Sequence, residues 1–276
     1  MNEYSAYVAL IVATQTEEDA VRNMYSWETV TFSDDAQTYY TASVEKDDHL
    51  CKIVYARQEE MGMTAAVSLT MKLIEHFRPR FVIMVGIAAG IAPTDVAEQI
   101  YGDVVVADMI WNYTSGKFVS PDRTDIRFGN VGFISRPAVV KTDGALLEYV
   151  RKAAASPENQ CHVHIGSMAT GSAVVANREI VNKQIHTMYG KTIGLDMEAY
   201  GVVYAAQNAT APRPEALVIK SVCDYANNEK SDQYQKFAAY TSCEFARLLL
   251  EKFLPTGAHG ATGDLQDIRD AEDNKN

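Results

Sequence analysis

Two apolar runs constrain this chain most: YVALIVAT (7–14) and FVIMVG (81–86) are apolar at consecutive positions, not alternate ones. A strand of that kind has to be covered on both faces. The first run leads into the polar QTEEDAVRNM, which reads as a helix start. MTAAVSLTMKLIEHF (63–77) carries apolar residues at helical spacing and is stopped by Pro79. Strands that alternate with amphipathic helices predict an α/β fold, not one with segregated elements.

The remaining segments fit that frame. Residues 28–57 lack a helical period and read as antiparallel strands ending in CKIVYA (51–56). FVIMVG is expected to open into the glycine-bounded loop GIAAGIAP. GDVVVADMIW (102–111), CHVHIGSMAT (161–170) and ALVIKSVCD (216–224) are further strands. Residues 114–135 are polar and irregular, in the manner of a flap or interface loop. Helices are expected within PAVVKTDGALLEYVRKAAA, from about Arg178 to Tyr189, and from about Asp232 to Phe253. With no linker or repeat in view, residues 1–254 read as one domain. Residues 257–276 hold five acids, three glycines and almost nothing apolar, so 255–276 is expected to be a disordered acidic tail.

Composition narrows the function. A net charge of −11 argues against nucleic acid as the main partner, because phosphates have to be neutralised. Four dispersed cysteines without a C-x-x-C suit reduced thiols. The opening MNEYSAYVALIVAT sets an acid before its apolar run, unlike a secretory leader, and no run is long enough to span a bilayer. A cytoplasmic protein with no membrane partner is the expectation.

Polar or glycine-rich chemistry follows four buried strands: Glu17-Glu18-Asp19, Gly86 to Gly90, Asp196-Met197-Glu198, and Cys223-Asp224. Ligand sites of α/β sheets lie at such strand ends. Each has an ordinary structural use, since first-turn acids complement a helix dipole and glycines supply unusual backbone angles. The glycine turn matches neither a dinucleotide nor a triphosphate fingerprint. Three convergent acids nevertheless form the set needed to cleave a bond at a sugar anomeric carbon. One protonates the leaving group, one activates water, and one holds the hydroxyls as positive charge develops. His162 and His164 share one face of a strand, but no third ligand lies nearby in sequence. Structural roles are expected for them, with no metal and no cofactor.

In these motifs the chain resembles the purine nucleoside phosphorylase superfamily, and within it the methylthioadenosine/S-adenosylhomocysteine nucleosidases. VGIAAGIAP is similar to the family's glycine turn, GDVVVAD to the strand after it, and GSMATGSAVVAN to the segment lining the base pocket. GLDMEAYGVV is similar to its V-E-M-E-A signature, and IKSVCDYANNEK to its strand ending in Asp. The resemblance implies a single-domain three-layer αβα sandwich with a mixed central sheet, and a homo-oligomer.

It also implies roles. Glu198, as an anion, accepts the ribose hydroxyls, Met197 packs beside the ribose, and Asp224 protonates the purine at N7. Glu18 activates water, with Glu17 as its rival. Ile87 and Ala88 line the site, Val174 and Val175 meet the base, Asp196 orients the turn, and Lys220 positions water. A phosphorylase of this family needs an arginine and a serine for phosphate where this chain has Met84 and Ile87. Hydrolysis of a purine nucleoside or nucleotide, with adenine as the base, is therefore expected over phosphorolysis. Arg57, Arg136, Arg178 and Lys183 are the candidates for a 5′-phosphate. A non-catalytic nucleotide sensor is the other reading, disfavoured because binding alone needs no proton donor.

Overall fold

Strand β1 (Ala6–Val12) is buried along its whole length, and its neighbours explain why. It runs parallel to β4 (His49–Arg57) on one side and β5 (Pro79–Gly90) on the other. Val8, Leu10 and Val12 pack with α1 (Gln15–Arg22), α3 (Gly144–Ala154) and α6 (Gln235–Leu248). Ala9 and Ile11, on the other face, join α2 (Met63–Phe77) and α5 (Ala199–Asn208). The continuous apolar run is thus the middle of three layers, the αβα arrangement that was expected. These relations come from a computed structural model that describes residues 4–91, 99–124, 126–128, 131–227, 232–256 and 261–264.

The sheet is mixed. Strands β2 (Glu28–Phe32) and β3 (Asp35–Lys46) pair antiparallel and pass the sheet on to β4. On the other side of β5 come β12 (Thr192–Asp196), β11 (Val163–Thr170), β6 (Val104–Asn112) and β10 (Val139–Lys141). Strand β13 (Glu215–Asp224) pairs with β5 in parallel and with β6 antiparallel. Five strands, β6, β11, β12, β5 and β13, therefore close on themselves at one end of the sheet. A turn of helix, α4 (Arg178–Ile180), continues into a wider helical turn through His186 and carries the chain to β12.

Three local expectations change. The glycine turn after FVIMVG is strand: β5 runs on to Gly90 because Ile87 and Ala88 pair with Ser221 and Val222, and Ala89 and Gly90 with Leu195 and Gly194. The end of that expected loop, residues 92–93, lies outside the described residues. The polar stretch 114–135 contains a small antiparallel sheet of β7 (Gly116–Val119), β8 (Arg127–Phe128) and β9 (Val131–Ser135). The tail, expected to lack structure, contributes β14 (Ala261–Asp264), which pairs with β4. Neighbouring β1 covers β4 only from Ile53 onward, leaving an open edge at His49–Cys51 that an extended segment can cap. Residues 257–260 and 265–276, where the remainder of that expectation falls, lie outside the described residues. No helix among the described residues is long and apolar enough to cross a membrane.

The closest approach of the two helices on one face depends on Gly201. A Cβ there would sit 2.5 Å from the carbonyl oxygen of Met63, which is backbone and cannot swing aside. Gly201→Ala is therefore expected to destabilise the fold by about 1–3 kcal/mol, read from urea denaturation. An unchanged midpoint would contradict this packing.

Candidate active site

A cavity of about 280 Å³ opens where β5, β12 and β13 end and α1 begins. Glu17, Asp196, Glu198 and Asp224 all line it, beside Ile87, Ala88, Val174, Val175 and Met197. Acids from three distant parts of the chain thus converge. The lining contains no lysine or arginine among the described residues.

Glu17 enters through a helix cap. Thr14, the N-cap of α1, accepts the Glu17 N–H, while the Glu17 carboxylate folds back to accept the N–H groups of Thr14 at 2.8 Å and Ala13 at 2.7 Å. Its other oxygen accepts Ile87 N–H at 2.8 Å and the Lys220 ammonium at 3.3 Å. Gly86 makes room for it. With φ near +150°, that residue has no side chain where a Cβ would lie 1.8 Å from Glu17 Oε1.

Glu18, expected to activate water, points elsewhere. Arg57 donates to one of its oxygens at 2.7 Å and Arg22 to the other at 2.8 Å, and it does not line the cavity. Adjacent helical residues project about 100° apart, so only one of the two acids can face the site. Glu17 is that one: it lines the cavity and Glu18 does not.

Lys220 is fully buried on β13 and does not reach the cavity wall; it stands behind Glu17. Burial works against its charge, but Glu17, Glu198 and Asp196 outweigh that cost and hold its pKa above the ordinary lysine value.

Asp196 ends β12 and ties the turn that follows. One oxygen accepts the Thr170 hydroxyl at 2.7 Å, and the other accepts Ala199 N–H at 2.8 Å and Glu198 N–H at 3.3 Å. Burial raises its pKa against the pull of Lys220 and these donors. Glu198 is then presented at the start of α5, where one oxygen accepts the Gly62 N–H at 2.8 Å. Burial, with Asp196 and Glu17 adding to it, pushes its pKa up to about 7 despite Lys220. Burial thus works against the full ionisation expected of Glu198. Asp224 ends β13, where it accepts the Ala226 N–H at 2.8 Å and the Cys223 thiol at 3.4 Å.

Val174 and Val175 line the cavity, and Met61 adds an apolar contact at its mouth. The four cations considered for a 5′-phosphate lie outside the lining; Arg57 is held by Glu18 and Lys183 by Glu179. Met61 and the Gly62 N–H were missed in the sequence. A backbone donor leaves no side-chain signature, although the glycine just before a helical period marks a start where N–H groups are exposed.

Acids from β12, β13 and the starts of α1 and α5 thus meet at one end of a mixed sheet, where α/β folds place their ligand sites. Residues 7–255 match the Phosphorylase superfamily, and the chain belongs to that family. Protein y4jS of Sinorhizobium fredii is 31% identical over 83% of this chain and 56% of its own length. The ATP nucleosidase Cap17 of Escherichia coli is 23% identical over 73% of this chain and 42% of its own. The chain thus spans about half the length of these curated relatives. In three dimensions it resembles the 5′-methylthioadenosine/S-adenosylhomocysteine nucleosidase of Neisseria meningitidis in complex with methylthio-immucillin-A. The TM-score is 0.71 at 22% identity, covering 89% of this chain and 98% of that one.

Removing the partner of a buried charge is costly. Lys220→Met is expected to destabilise the fold by about 3–5 kcal/mol, and adding Glu17→Gln to it should restore part of that loss. Chemical denaturation of both variants checks this; additive losses would rule out the pairing.

Proposed function

We propose that the chain hydrolyses the N-glycosidic bond of a purine nucleoside or nucleotide and releases the free base, adenine above all. The observation that carries this is the convergence of Glu17, Glu198 and Asp224 on one cavity whose described lining has no basic side chain. A phosphate dianion lacks a counter-charge there, whereas water needs only a carboxylate to accept its proton. The activities of the relatives, an ATP nucleosidase and 5′-methylthioadenosine/S-adenosylhomocysteine nucleosidases, support the same chemistry.

In this reading Asp224 donates a proton to purine N7, which turns the base into a neutral leaving group. Glu198 accepts the ribose hydroxyls, with its other contact fixed by Gly62, and its negative charge faces the developing oxocarbenium ion. Glu17 takes a proton from the attacking water. Lys220 and the Ala13, Thr14 and Ile87 N–H groups hold that carboxylate in one orientation. Asp196 acts through Glu198 by fixing the turn. Val174, Val175 and Met197 supply the apolar walls for base and sugar.

The four cysteines, none of them disulfide-bonded, support a cytoplasmic setting. Exposed Met71 on α2 and Tyr204 on α5, with Met61 and Val174 at the cavity mouth, support self-association through that face. Sedimentation velocity tests it, and a monomer at micromolar concentration would exclude it.

Incubation with adenosine, methylthioadenosine, AMP and ATP, with and without phosphate, tests the reaction. Free adenine without phosphate is expected; strict phosphate dependence with sugar 1-phosphate as product would overturn hydrolysis. Glu198→Gln, Asp224→Asn and Glu17→Gln should each lower kcat by about a hundredfold or more, whereas Glu18→Gln should stay near wild type. A collapse confined to Glu18→Gln would reverse the assignment of the two acids.

The ionisation of Glu198 sets a pH limb. Its raised pKa means that the carboxylate needed to accept hydroxyl donors is lost as pH falls through about 7. The ratio kcat/KM is therefore expected to rise across that value, and a flat profile through it would remove Glu198 from this role.

A further inference from the structure

The histidine pair singled out in the sequence finds its third partner in space. Asp103, just before β6, sends its buried carboxylate toward both rings. His164 Nε2 lies 2.8 Å and His162 Nδ1 3.3 Å from the same oxygen, Oδ2. The three ligand atoms fall within 4.8 Å of one another. The two rings meet at 72° with centroids 4.4 Å apart, so they converge without stacking.

Oδ2 also accepts the Ile100 N–H at 3.1 Å, so three nitrogens, two of them able to act as metal ligands, converge on one carboxylate oxygen. An ion that binds nitrogen and oxygen at about 2.0–2.1 Å in tetrahedral geometry separates its ligand atoms by about 3.3 Å. The His162–Asp103 edge of 3.3 Å matches that value, and the His164–Asp103 edge of 2.8 Å is shorter. The ligand atoms all fall within 4.8 Å, so a small side-chain adjustment brings the three around one ion. Two neutral imidazoles and one carboxylate suit a borderline-soft divalent ion and leave it a net positive charge. The Ile100 N–H would then orient the carboxylate from outside, as such sites require. His162, whose side chain is 62% exposed, leaves solvent access for entry and for water as a further ligand.

We propose that Asp103, His162 and His164 form a binding site for a zinc-class divalent ion, separate from the catalytic cavity. None of the three lines that cavity. Binding requires a neutral His164 with its proton on Nδ1, so that the Nε2 lone pair faces the ion. The position makes the ion a staple. His162 O accepts Val104 N–H where β11 meets β6, and Asp103 O accepts Val222 N–H where β6 meets β13. The site therefore braces the seam at which the five strands close, two residues from the catalytic Asp224 on the same strand.

The test uses the full chain after dialysis against a chelator. Calorimetric titration with Zn²⁺ is expected to give one saturable equivalent and a raised Tm, with no competition from Mg²⁺ or Ca²⁺. Co²⁺ should give visible ligand-field bands without a thiolate charge-transfer band. His162→Ala, at an exposed position that spares the fold, should weaken Zn²⁺ binding at least tenfold. No saturable equivalent, a thiolate band, or a smaller loss in His162→Ala would overturn the site. Adenine release is measured separately, so failure of the metal site and failure of the proposed reaction are distinguishable.

Discussion

The buried ion pair between Glu17 and Lys220 is the interaction on which the site depends. Both side chains are almost wholly excluded from solvent, 3.3 Å apart. Neither charge could be kept there alone. Together, with three backbone N–H groups completing the carboxylate's partners, they let an anion stand at the end of an otherwise apolar sheet. The same ammonium opposes the pKa-raising effect of burial on Asp196 and Glu198. One lysine thus balances three acids, which explains why it is buried and yet charged.

Strand β13 makes this arrangement possible. It carries Lys220 behind the cavity and Asp224 at its edge, and it is held on both sides by β5 and β6. Because β5 continues as strand to Gly90, the Ile87 N–H that binds Glu17 and the Ala88 wall are set by sheet geometry, not by a loop. A positive φ at Gly86 and the missing side chain there let the α1 carboxylate come against the sheet. The chemistry sits on rigid elements, as tight positioning of reacting groups demands.

Much of this was legible in the residues. Apolar runs without alternation located β1 and the start of β5, and the helical period of 63–77 coincides with α2. Acids placed directly after apolar runs pointed to Asp196, Glu198 and Asp224. The choice between Glu17 and Glu18 was harder, because two adjacent acids in a first turn suit a helix dipole equally well. Thr14 followed three residues later by Glu17 is a capping-box signal, and it selects the residue that folds back. What could not be read were partners brought together only by the fold: Gly62 with Glu198, Lys220 with Glu17, and Asp103 with the histidine pair. Strand character beyond Gly86 was hidden too, since glycine and alanine carry little strand preference and owe their extension to β12 and β13.

The side-by-side placement of Glu17 and Glu18 has a consequence for how such a chain can change. One faces the cavity and the other grips two arginines on the outside of the same helix. Adding or deleting a single residue between the last position of β1 and the first turn of α1 would rotate the helix by about 100°. The inward acid would then swing away from the lysine, and the outward one would not take up its contacts. The span Ala13–Thr14 is thus constrained in length more tightly than in composition, and insertions there are the changes this architecture tolerates least.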